Sequence, residues 1–161
     1  MRGLPTVAAA SAAGVILFLP APSGAHVDVS AGKLPCTVLI ARDRILASSL
    51  PQSVKNDAAG MNGGGVDRLI CRDVTYDGRP DMTALITSSW STGVTAWVVF
   101  RAKTMWSLAL ARVHVHSAAV RYRRGDLVET QPVKSGGYDH RRFHWQRRHF
   151  VVLRKWHTKQ P

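Results

Sequence analysis

Asp73-x-Thr75-x-Asp77-Gly78-x-x-Asp81 sets four side-chain oxygens at alternate or near-alternate positions around a glycine. Calcium takes six to eight oxygen ligands, and this spacing can aim Asp73, Thr75, Asp77 and Asp81 at one point, with the Arg79 carbonyl as a fifth ligand. The twelfth loop position is Ala84, not the bidentate glutamate of an EF-hand. The same residues support a second reading. Val66 to Val74 and Met82 to Ile86 are short β-forming runs around Asp77-Gly78, and Asp-Gly is a strong hairpin signal. In that case the carboxylates cap backbone amides and hold no cation.

The second chemical stretch is the basic end of the chain. From Asp139 onward Arg141, Arg142, Arg147, Arg148, Arg154, Lys155 and Lys159 face a single acid, with Phe143, Trp145, Phe150 and Trp156 interleaved. Arginines and aromatics on a strand platform can track phosphates and stack on rings, or hold teichoic acid-like polymers and anionic lipid headgroups. The polymer reading rests on Arg141, Arg142, Arg147 and Arg148. Its alternative is a hairpin with Phe143 and Trp145 turned inward and Arg142 and His144 merely solvated. Arg124-Gly125-Asp126 matches the integrin tripeptide, but it also sits where a hairpin needs its turn. His114-x-His116 would put two imidazoles on one strand face, a half-site for zinc or copper, and His140, His144 and His149 lie on the last hairpin. His26 would chelate copper if it were the mature N-terminus. Gly-x-Ser-x-Gly, Gly-Lys-Ser/Thr and His-Glu-x-x-His are all absent. Glu129 is the only glutamate, which excludes a glutamate acid–base pair.

These residues need a scaffold, and 161 residues suffice for one domain. Residues 1 to 25 read as a secretory signal: Arg2, an apolar run from Val7 to Leu19, Pro20 and Pro22, then Ser23-Gly24-Ala25. The run is too short to span a bilayer. Residues 26 to 35 read as a flexible arm, 36 to 157 as a single domain, and 158 to 161 as a tail. In an oxidising compartment Cys36 and Cys71, the only cysteines, are expected to pair. Thr37 to Leu50 reads as an amphipathic helix ended by Pro51, and Asn56 to Gly65 as a loop. Strand signals follow at Met82 to Trp90, Val94 to Arg101, Trp106 to Val115, Ala118 to Arg123, Leu127 to Val133, Arg141 to Trp145 and His149 to Leu153. Val94 to Arg101 is apolar on both faces, which marks a central strand. The expected fold is α+β, with one N-terminal helix packed on a curved, mostly antiparallel sheet of about seven short strands.

Signal, Cys36, helix, glycine-rich loop, Cys71-Arg72-Asp73-Val74-Thr75-Tyr76-Asp77-Gly78-Arg79-Pro80-Asp81 and the closing Arg141-Arg142-Phe143-His144-Trp145 hairpin resemble a group of small exported proteins. These are secreted proteins and lipoproteins of high-GC Gram-positive bacteria, similar to the LppP/LprE-like group. The resemblance implies export and this fold, and brings no catalytic residues. Lys134-Ser135-Gly136-Gly137 lacks the cysteines that such proteins often carry there. The formal charge of +12 points to anionic partners in general. The expected function is a non-catalytic binding or structural module, secreted or associated with the cell envelope. The alternatives are a binder of anionic envelope polymers and a hydrolase or metal-dependent enzyme. Neither a specific nucleic acid nor a transmembrane span in the mature form is expected.

Overall fold

Two helices, α1 (Val38–Ala47) and α2 (Gln52–Ala59), precede eight strands in the computed structural model, which describes residues 34–61 and 63–159. The signal segment, His26, most of the arm and the last two residues of the tail lie outside the described residues. Thr37 starts α1 by accepting the Ile40 amide on its hydroxyl at 3.3 Å. Ser48 closes it by donating its hydroxyl to the Ile45 carbonyl. Pro51 does not end this helix. It stands at the N-cap of α2, where its fixed φ suits a helix start and its missing N–H costs nothing. Gly60, with φ +82°, ends α2 in the left-handed conformation. The single expected helix is therefore two, and the expected loop from Asn56 begins only at Gly60. Val54 and Ala58, four apart, give α2 its buried stripe. Two apolar positions in eight residues are too few to show a helical period in the sequence.

The strands form two antiparallel sheets of four, each a simple meander. β1 (Gly65–Arg72), β2 (Asp81–Thr87), β3 (Val94–Ala102) and β4 (Trp106–Arg112) make the first. β5 (Ala119–Arg123), β6 (Asp126–Pro132), β7 (Tyr138–Gln146) and β8 (His149–Thr158) make the second. The fold is mostly antiparallel sheet with short helices, as the α+β class requires. The expected single sheet of about seven strands is corrected to two sheets and eight strands. The break falls at 113–118, where Val115 donates its amide to Thr95 and Ala118 to Val94, so the chain crosses from one sheet to the other.

Alternation along β2 and β3 explains the layers. Met82, Ala84, Ile86, Ala96, Val98 and Phe100 face the helices and pack on Ala41, Ile45, Val54 and Ala58. Leu85, Trp97 and Val99 point the other way and meet Val120, Leu127 and Phe143 of the second sheet. Trp97 and Phe143 touch edge to face, 5.2 Å between ring centres. Cys36 and Cys71 are bonded and tie the start of α1 to β1. Among the described residues no helix is long and apolar enough to cross a membrane.

Between the sheets lies the only glutamate. Glu129 is buried and accepts hydrogen bonds from Trp97 Nε1 at 2.6 Å, Gln131 Nε2 at 2.9 Å and the Arg112 guanidinium at 3.2 Å. Arg141 adds an ion pair at 3.5 Å. A buried carboxylate is tolerated only with its lone pairs occupied, and here they are.

Candidate anion-binding face

The second sheet covers the first with one face and leaves the other to solvent. Register assigns the residues of that outer face. Arg121, Val128, Arg142 and Arg154 are successive cross-strand partners from β5 to β8, and Ala119, Thr130, His140 and Trp156 form the next row. Three strand spacings put the two ends of the first row roughly 14 Å apart. The second row is a fixed aromatic step. The His140 ring stacks on the Trp156 indole, 4.8 Å between centres and 9° from parallel. Its nitrogens lie 3.0 Å from Thr130 Oγ1 and 2.8 Å from Thr158 Oγ1, so the ring cannot turn freely. The Arg154 guanidinium lies 5.6 Å from the centre of the same indole, within cation–π range. Arg121, Arg123, Tyr138, His140 and Trp156 line a shallow groove of about 770 Å³ on this face.

One end of the sheet is basic as well. The meander brings the β5–β6 and β7–β8 turns to the same end. Arg124, Arg147 and Arg148 occupy them with φ of +51°, +49° and +70°. Two-residue turns of this hand favour Asn-Gly, and a residue with a Cβ is strained there. At Gly125 a side chain is strained by φ of +86°, and its Cβ would lie 2.2 Å from the Tyr76 hydroxyl, so the tyrosine ring would have to move.

Two of the three acids of this sheet are buried, and the third, at the surface, meets a histidine. Between Ala119 and Thr158 ten Lys or Arg stand against Asp126, Glu129 and Asp139. Glu129 is engaged between the sheets. Asp126 is buried, accepts from His144 Nδ1 at 2.6 Å and from the Tyr76 hydroxyl at 3.2 Å, and pairs with Arg142. Burial alone would raise its carboxyl, but the hydrogen bonds from His144 and Arg142 and the Arg142 charge outweigh that and hold it below the ordinary value. Burial and the Asp126 charge push the Tyr76 hydroxyl up, so it stays a donor. Asp139 pairs with His157 at 3.0 Å.

The sequence-predicted residues are divided by this geometry. Of the polymer-binding quartet, Arg141 is held by Glu129 and Arg142 by Asp126, while Arg147 and Arg148 stand exposed at the turn without an ion pair among the described residues. Phe143 points into the core and Arg142 outward, as alternation predicts. The integrin-like tripeptide is a turn whose aspartate is buried.

The acidic motif is not the expected tight hairpin. β1 and β2 are separated by an eight-residue loop, 73–80. Asp73 accepts the amides of Asp77 at 3.2 Å and Gly78 at 2.8 Å. Asp77 accepts the Arg79 amide and pairs with Arg101 at 2.9 Å. Asp81 is fully buried, accepting from Val74 and Thr75 on one oxygen and Ala102 on the other. Thr75 is buried, and the Arg79 side chain donates to the Lys103 carbonyl. The carboxylates thus serve backbone amides and an arginine. Among the described residues no three His, Cys, Asp or Glu side chains form a group that could hold a metal ion.

The histidines are likewise separated. β4 ends at Arg112, so His114 and His116 lie on the crossover, not on a strand face, and His114 has φ +56°. His149 meets only the Arg147 carbonyl among the described residues. No serine hydroxyl is bonded to an imidazole among the described residues. Sequence reasoning missed Arg121, Arg123 and Arg124 as part of the face. Their signal was the alternating Arg121-x-Arg123 ahead of a Gly turn, which gains meaning only once β5 is known to be an edge strand. Comparisons with family models, curated proteins and solved structures found no match for this chain.

Proposed function

We propose that this protein is an exported, non-catalytic module that binds anionic polymers of the cell envelope on the outer face of its second sheet. One observation carries the reading. That face presents Arg121, Arg154 and a fixed His140–Trp156 step, while Glu129 and Asp126 of the same sheet are buried in ion pairs and the exposed Asp139 meets His157. A repeating polyanion meets uncompensated cations across the sheet and at its Arg124, Arg147 and Arg148 end. The His140–Trp156 step offers a ring surface for the sugar or polyol between the charges. The signal-like residues 1–25, the Cys36–Cys71 bridge and the resemblance to small exported proteins support an address outside the cytoplasm.

Binding to poly(glycerol phosphate) tests the reading. Affinity should fall steeply as salt rises, because screened contacts between exposed charges dominate it. Trp156→Ala should weaken binding at every salt concentration and leave the steepness unchanged, since it removes a ring and no charge. Salt-independent binding, or none at low salt, contradicts the proposal.

A further inference from the structure

A second cleft, of about 550 Å³, opens between the β2–β3 loop, the 113–118 crossover and α2, and shares no residue with the groove on the outer face. Its floor is apolar and buried: Val54, Ala96 and Val115. Its walls carry hydroxyls and imidazoles, from Ser88, Ser91, Thr92, Ser117, His114 and His116. Trp90 stands at its rim 88% exposed, more than any other large hydrophobic side chain among the described residues.

The cleft is built, not a chance gap between mobile loops. Gly93 packs so closely on the crossover that a Cβ there would lie 2.8 Å from Ser117 Cα. The Ser117 hydroxyl lies 3.4 Å from that of Ser91 and 3.5 Å from that of Thr92, so the two segments are joined across the wall. His114 and Ser117 both hold positive φ, +56° and +46°, at the two ends of the 114–117 stretch that forms that wall. Strain of this kind persists only where the surroundings fix it, and it gathers at binding sites.

Charge narrows the ligand. Among the described residues no Lys or Arg lines this cleft, and Asp57 is the acid that does. The described lining therefore offers an anion no cationic partner. What fits an apolar floor, a hydroxyl-rich wall and an exposed indole is a molecule with one C–H face and several neutral hydroxyls. A pyranose ring has both: its C–H face packs on an aromatic ring, and its hydroxyls need paired donors and acceptors such as serine and imidazole. We infer that this cleft binds a neutral pyranose unit of a glycan, stacked on Trp90 and hydrogen-bonded by Ser91, Ser117, His114 and His116.

Calorimetric titration of the full chain with chitotetraose, cellotetraose and maltotetraose tests this. At least one should bind, with an affinity insensitive to salt, and Trp90→Ala should lower that affinity by at least about tenfold. Trp90 is exposed, so the variant should melt with the wild type. Trp156→Ala, on the other face, should bind the sugar normally. His116→Ala should weaken binding less than Trp90→Ala does. No heat from any of the three sugars at about 10 mM, a concentration far above any useful dissociation constant, overturns the inference. So does equal binding by the Trp90→Ala variant, or binding of a neutral unstructured peptide in place of sugar.

Discussion

The two sheets share one topology and differ in what covers them. Each is a four-stranded meander, and the second strand of each begins with a buried aspartate, Asp81 in β2 and Asp126 in β6. Asp81 lies in the sheet that is covered on both sides. The Val74, Thr75 and Ala102 amides donate to it, and burial pushes its carboxyl above the ordinary value despite its hydrogen bonds. Asp126 lies in the sheet with one wet face. Charged partners reach it there, and His144 and Arg142 bring it below the ordinary value against the effect of burial. Position in the meander is the same, and access to long charged side chains sets the opposite outcomes. The covered sheet is a core element, and the half-covered one can display chemistry.

The largest effect should come from the joint between the sheets. Glu129→Ala leaves the Arg112 and Arg141 charges and the Trp97 N–H without their acceptor, and should cost about 3–5 kcal/mol in a denaturant melt. If the two sheets were independent, its cost would be that of a surface pair. Next is the bridge between helix layer and first sheet. Replacing both cysteines by serine frees a loop of 35 residues, worth about 3–4 kcal/mol in the chain-entropy model, and should lower Tm accordingly.

The pH dependence of melting sharpens the contrast between the aspartates. Asp126 has a lowered folded pKa, so its stabilisation is full above the ordinary value of about 3.9 and is lost as pH falls through the folded value. Asp126→Asn should therefore flatten the acid limb of the Tm profile. Asp81 has a raised folded pKa, so its contribution is full below the ordinary value and declines as pH rises through the raised one. Asp81→Asn should remove a slope of the opposite sign. Flattening of the same limb by both variants would dissolve the distinction. The smallest effect is on the outer face, where Arg121→Gln or Arg154→Gln should change stability by less than about 0.5 kcal/mol.

The first sheet was the more legible from sequence. Val94 to Phe100 carries apolar residues at every position but Thr95, and only a strand covered on both faces keeps such a run. The cysteine pair, the Arg124-Gly125 turn and the inward Phe143 were legible for similarly local reasons. The division into two sheets was not. It depends on the 113–118 crossover, where backbone bonds to Val94 and Thr95 have no side-chain signature. The acidic loop was legible in part: Asp-x-Thr-x-Asp-Gly-x-x-Asp serves cation ligation and amide capping equally well, and Asp-Gly suggested a tighter hairpin than the loop at 73–80. The hydrogen bonds of Asp73 and Asp81 to backbone amides and the pairing of Asp77 with Arg101 have no local signature in the sequence. Counting arginines along the last hairpin also joined two kinds. Arg141 and Arg142 are adjacent, but each meets a buried acid on its own side of the sheet, and neither fact is written locally.

The most direct test of the outer face as the binding surface compares two variants that lose the same charge. One carries Arg121, Arg147, Arg148 and Arg154 as glutamine; the other carries Arg42, Arg44, Arg68 and Arg72, exposed on α1 and β1, as glutamine. Both are eluted from a heparin or poly(glycerol phosphate) matrix with rising salt. The first should elute at far lower salt than the wild type, and the second close to it, because placement and not total charge governs retention. Equal loss of retention in the two variants would show that net charge alone holds the polymer, and would contradict the account.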